Sequence, residues 1–141
     1  MKGYGFSVWL LPPEHIDREI REELQEYGIK PSHRLHFTLA TNLETRSEAE
    51  IVKKTFGSHI NFWVAGKVYS SGKTYVVDPL AAWVVPVTLE LKSKVIPFDA
   101  HLTIQYMKDE CTPPDIVLQE HEGIGTIVLA DTRSERPEEW H

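Results

Sequence analysis

The sequence has one cysteine, Cys111, and no CxxC or paired Cys/His spacing, so it can close no intramolecular disulfide and supplies no thiolate frame for structural zinc. That composition fits a reducing compartment, and a cytoplasmic or nuclear protein is expected. Long apolar runs are also missing. The start, MKGYGFSVWLLPPEH, is interrupted at Pro12-Pro13 and has neither the length of a spanning helix nor a small-residue cleavage site, so no membrane segment and no export signal is expected. Basic residues are in deficit: 15 Lys and Arg stand against 21 Asp and Glu, a formal net charge of -6. Capture of duplex nucleic acid, which depends on clustered cations neutralising phosphates, is therefore excluded as a role. A small phosphorylated nucleotide is compatible with this charge, because a few aimed donors in a pocket suffice to hold it.

What is present is an ordinary globular composition. The 141 residues are 41% hydrophobic and 10% aromatic, which predicts one compact domain over residues 1–141, monomeric, with a modest core. Gly3 to Leu11 reads as a first strand. Glu14 to Tyr27 reads as a helix with Ile16, Ile20, Leu24 and Tyr27 on one stripe and Gly28 as its stop. Arg34 to Thr41 alternates like a strand. Ser47 to Phe56 reads as a second helix, with Ser47 as N-cap and Glu50 completing a capping box. The runs NFWVAGKVY and KTYVVD read as strands joined by a Ser70-Ser71-Gly72 hairpin turn, and AAWVVPVTLEL as a strand in which Pro86 marks an edge or a bulge. Ala100 to Tyr106 and Gly125 to Asp131 are further strands, with a loop over Asp109 to Pro114, and the tail RSERPEEWH is expected to be polar and partly mobile.

One short pattern occurs twice. His36-Phe37-Thr38-Leu39 and His101-Leu102-Thr103-Ile104 share a polar, apolar, polar, apolar order, each inside a segment that reads as a strand. Side chains alternate faces along a strand, so each histidine shares a face with its threonine while the apolar residues turn to the core. With seven histidines in the chain, roughly 0.1 apolar-flanked copies are expected by chance. If the two strands lie near each other, two imidazoles and two hydroxyls converge on one small anion. One imidazole can then deprotonate an attacking water while the other, as imidazolium, protonates a departing oxygen. The threonine hydroxyls can donate to phosphate oxygens as negative charge reorganises. The other five histidines, His15, His33, His59, His121 and His141, lack this context and read as surface or structural residues.

Paired H-x-T-x motifs resemble those of the 2H phosphoesterase superfamily. Phe6 to Pro12 is similar to the first strand of the plant and fungal cyclic nucleotide phosphodiesterases, and His101 to Tyr106 to their second motif with its trailing tyrosine. The resemblance implies an α+β fold of two lobes, each an antiparallel sheet backed by helices, with the motif strands lining a central cleft. It implies His36 and His101 as catalytic, Thr38 and Thr103 as phosphate-holding, Trp9 and Tyr106 as substrate-binding, and no cofactor or metal. Tyr106 would face away from His101 and Thr103 in a regular strand, so its place in the cleft requires a bulge or the strand end. The chain departs from many family members in showing no long amphipathic helix between Thr74 and His101, which predicts a trimmed second lobe.

The implied activity is hydrolysis of a nucleoside 2′,3′-cyclic phosphate, or of ADP-ribose cyclic phosphate, to a 2′-phosphomonoester, with His101 as base and His36 as acid. Two alternatives stay open: a viral-type enzyme cleaving 3′,5′ linkages of cyclic oligonucleotides, and a nucleotide- or RNA-binding module without turnover. Gly66-Lys67 and Gly72-Lys73-Thr74 miss the spacing of a phosphate-binding loop and read as turns. Glu19, Glu22, Glu23 and Glu26 read as the solvated face of the first helix.

Overall fold

A computed structural model describes residues 5–74, 80–91, 96, 99–107, 111–134 and 136–141. The beginning of the first expected strand, the end of the KTYVVD run and the start of the 109–114 loop lie outside the described residues. Seven strands and two α-helices follow one another as β1 (Phe6–Leu11), α1 (Glu14–Gln25), β2 (Phe37–Leu43), α2 (Arg46–Phe56), β3 (His59–Lys67), β4 (Tyr69–Thr74), β5 (Leu80–Leu89), β6 (His101–Met107) and β7 (Val117–Asp131). A short 3-10 turn covers Pro137–Glu139. No helix among the described residues is long and apolar enough to cross a membrane.

The strands do not divide into the two expected sheets lining a cleft. They run β3-β7-β1-β2-β6-β5 in one antiparallel wall, and β5 then pairs with β3, closing a mainly β six-stranded barrel to which β4 is added. The physical reason lies in β5. Residues 81–86 of this ten-residue strand pair with β6 along one side, while on the other side residues 80–84 pair with β4 and residues 87–89 with β3. Closure pairs two edges that separate lobes would leave open. Pro86 falls between the stretches bound to β4 and β3, so its missing N–H is accommodated where β5 changes partner. Gly66, at φ 121°, faces it across this junction, 3.3 Å from Pro86 Cγ to the position a Cβ would take.

The helices follow their apolar periodicity. Ile16, Ile20 and Leu24 of α1 are buried, each worth roughly 1.5–3 kcal/mol of burial, and they join a core with Val8, Leu10, Phe37, Leu39, Leu102 and Ile104. Tyr27 falls beyond the helix and is exposed. The α2 cap sits two residues earlier than expected: Thr45 Oγ1 accepts from the Glu48 N–H at 3.0 Å, and the Glu48 carboxylate accepts from the Glu44 N–H. Thr45-x-x-Glu48 is a variant of the capping box, with the Glu48 carboxylate on the N–H one residue before the cap, and Ala49 is the buried residue of the helix. Ser70-Ser71-Gly72 is not a hairpin turn but backbone of β4, with a register irregularity between Ser70 and Lys73. Gly66-Lys67 and Gly72-Lys73-Thr74 are likewise strand.

The last strand begins eight residues earlier than its apolar run, because Val117 to Gly123 pairs with β3 although much of it is exposed. Gly125 is required within it: a Cβ there would lie 2.6 Å from Leu10 Cγ, so only glycine admits β1 this closely. The acidic face of α1 is not wholly solvated either. Glu23 accepts from His121 Nε2–H at 2.7 Å and from the Gln119 N–H at 2.8 Å, tying α1 to β7.

Candidate active site

The two motif strands are direct neighbours in the wall. Phe37 of β2 pairs with Leu102 of β6 in antiparallel register, and both side chains are fully buried in the core. An antiparallel ladder carries that register outward, setting His36 opposite Thr103 and Thr38 opposite His101. Period-2 alternation turns all four away from the core, onto one face. Each histidine thus stands across from the threonine of the other motif, about a local two-fold axis through the Phe37–Leu102 pair.

The two imidazoles are anchored alike. His36 Nδ1–H donates to the Arg34 carbonyl at 2.7 Å, and His101 Nδ1–H donates to the Asp99 carbonyl at 2.8 Å, in each case two residues back along the chain. A carbonyl only accepts, so each ring carries a proton on Nδ1, and Nε2 is the nitrogen that can gain or lose one.

Their surroundings differ because the flanking strands differ. Beside β2 lies β1, whose Trp9 stacks on His36 with ring centroids 3.8 Å apart. Beside β6 lies β5, whose Pro86 is the cross-strand partner of His101. His36 is consequently 5% exposed, whereas His101 is only partly buried. Burial pushes His36 down from the usual 6.5 to about 3; the Arg34 carbonyl opposes this, and the nearby His33, His101 and Arg34 add to it. Thr103 is buried and Thr38 partly so. Trp9, only 2% exposed, has one ring face on His36, so it orients that imidazole from below.

Tyr106 reaches the same side through a break in β6. Gln105 pairs with Trp83 and Thr103 with the next residue, Val84, leaving Ile104 as an extra residue on β6. This bulge reverses the alternation. Tyr106 therefore packs with Trp9 and Trp140, with its ring edge-on to Trp140 at 5.4 Å and to His33 at 4.9 Å.

Two residues at the site carried no signal in the sequence. His33 lies before β2, outside any periodic segment, yet it is 4% exposed and its Nε2–H donates to the main-chain carbonyl of Thr103 at 2.8 Å. Burial is the main cause that lowers its pKa. Trp140 belongs to the tail expected to be polar and partly mobile; Arg136, Glu138, Glu139 and His141 are exposed, but Trp140 itself is buried. Residues 131 and 141 exchange two backbone hydrogen bonds, the Trp140 indole N–H donates to the Ser134 carbonyl at 2.8 Å, and the ring lies edge-on to His36 at 6.4 Å. A lone aromatic in a charged tail has no period by which to be recognised.

Among the described residues no group of three or more His, Cys, Asp or Glu side chains is arranged to hold a metal ion. No protein-family model, curated protein or solved structure matches the chain.

Proposed function

We propose that the chain is a metal-independent phosphodiesterase that hydrolyses a cyclic phosphodiester, a nucleoside 2′,3′-cyclic phosphate or ADP-ribose cyclic phosphate, to a 2′-phosphomonoester. The observation that carries this reading is the Phe37–Leu102 pairing, which groups two Nδ1-anchored imidazoles and two threonines on one face. In the reaction, one Nε2 removes a proton from a water as its oxygen bonds to phosphorus. The bond from phosphorus to the 3′ oxygen breaks, and the second imidazole, as imidazolium, gives that oxygen its proton. Thr38 and Thr103 donate to the non-bridging oxygens, where charge builds in the transition state.

The family resemblance would make His101 the base, but burial favours the opposite order. His36 is held neutral by burial and so is ready to accept a proton, and the charge of a bound phosphodiester offsets its burial penalty and strengthens it as a base. His101, more accessible to solvent than His36, is the acid. The test is chromatography of products after incubating EDTA-treated protein with 2′,3′-cyclic nucleotides, ADP-ribose cyclic phosphate and cyclic dinucleotides, beside its H36A/H101A double variant. A 2′-phosphomonoester made by the wild type and not by the variant is the expected result. Cleavage of cyclic dinucleotides alone would reassign the substrate, and tight nucleotide binding without product would replace the enzyme with a binding module.

A further inference from the structure

We infer that His33 is a positioning residue that locks the second motif strand against the first and holds Tyr106 on the site face. The need for such a brace is visible in the strand pairing. The ladder between β2 and β6 has Phe37 and Leu102 as its partner pair, and β6 is then disrupted on its other side by the bulge at Ile104. A bulge leaves main-chain groups without their ladder partners, and at a buried position each needs another. The ring of His33 supplies one by donating Nε2–H to the carbonyl of Thr103, the residue next to the bulge.

His33 is itself gripped from behind. Arg21 of α1 donates from Nη2 to the His33 carbonyl at 3.2 Å and from Nη1 to the Pro31 carbonyl at 3.1 Å, while its Nε is fixed by Asp17 at 2.6 Å. The backbone of His33 is thus tied to a helix packed on the core and its ring to the strand bearing Thr103 and His101. The same ring lies edge-on to His36 at 6.2 Å and to Tyr106 at 4.9 Å. One imidazole therefore touches the surroundings of both motifs and the bulge that turns Tyr106 inward.

This inference rests on the phosphodiesterase reading for its kinetic consequence but not for its structural one, and the test separates them. A glutamine side-chain nitrogen reaches the place of His33 Nε2, whereas that of asparagine stops near Nδ1. With a 2′,3′-cyclic nucleotide as probe, His33→Asn is expected to lower kcat by about 10- to 100-fold, the scale of a small misplacement of reacting groups, with His33→Gln within about three-fold of wild type. Equal rates in His33→Asn and wild type overturn the inference. Nitrogen-15 NMR of the unmutated protein gives the second measurement. The expected result is an Nε2–H tautomer for His33 with a scalar coupling to the Thr103 carbonyl carbon; an Nδ1–H tautomer overturns the brace whether or not any substrate turns over.

Discussion

The indole of Trp9 lies almost parallel to the imidazole of His36, with centroids 3.8 Å apart and planes 16° apart. An aromatic face would attract a protonated ring stacked on it, yet His36 is driven towards the neutral form because the stack excludes water from the charge. The Trp9 contact and the Arg34 carbonyl together fix ring plane and tautomer, which leaves Nε2 as the reacting nitrogen.

His36→Ala and His101→Ala should each lower turnover by at least about 100-fold, the usual share of a positioned acid or base. Thr38→Val and Thr103→Val should cost roughly 100-fold if each hydroxyl meets transition-state charge. Steady-state kinetics on the productive substrate decides this, and full activity in both valine variants would take the threonines out of the site.

The pH dependence should separate free from occupied protein. With His36 near 3 in the free protein, the acidic limb of kcat/KM should lie close to that pH, whereas in kcat it should move upward because bound phosphate favours the imidazolium. Coincident acidic limbs in the two profiles would remove His36 from the role of base.

Stability should fall on acidification for the same reason. The folded value for His36, about 3, lies below the ordinary 6.5 expected of the unfolded chain, so between these values the unfolded state binds the extra proton. Its contribution is fully present above about pH 6.5 and is lost as pH falls towards 3, with a slope approaching ~1.4 kcal/mol per pH unit. His33 is shifted in the same direction and adds to the trend. Urea unfolding between pH 7.5 and 4 should show a steeper loss in wild type than in His36→Asn, a variant that retains a donor for the Arg34 carbonyl. Identical slopes would contradict a buried, neutral His36.

The Trp140 ring lies edge-on to the buried His36. Removing its ring in Trp140→Ala should speed carbethoxylation of His36 by about 10-fold, as expected when local cover is lost without global opening. Peptide mass spectrometry would follow His36 against His121, which lies on β7 and bonds Glu23 of α1. If both histidines speed up together, the ring supports the whole fold; if neither does, it does not guard the site.

The local arrangement of the site was legible because it depends on repeats within a few residues. Alternation alone puts His36 with Thr38 and His101 with Thr103, and spacings of four bury Ile16, Ile20 and Leu24. Even the condition on Tyr106 could be stated in advance, since its parity is wrong for a regular strand. The α2 cap was misplaced because two overlapping frames, Thr45-x-x-Glu48 and Ser47-x-x-Glu50, both carry the capping pattern.

What a strand pairs with is not written in its own period. That β2 lies beside β6, that β5 changes partner at Pro86 and closes a barrel in place of two lobes, and that His33 and Trp140 arrive at His36 are decided by contacts between residues far apart in the chain. The sequence determined which side chains share a face. The tertiary structure decided which faces meet and how far water is excluded from them, and so made two nearly identical motifs unequal by setting an indole beside one histidine and a proline beside the other.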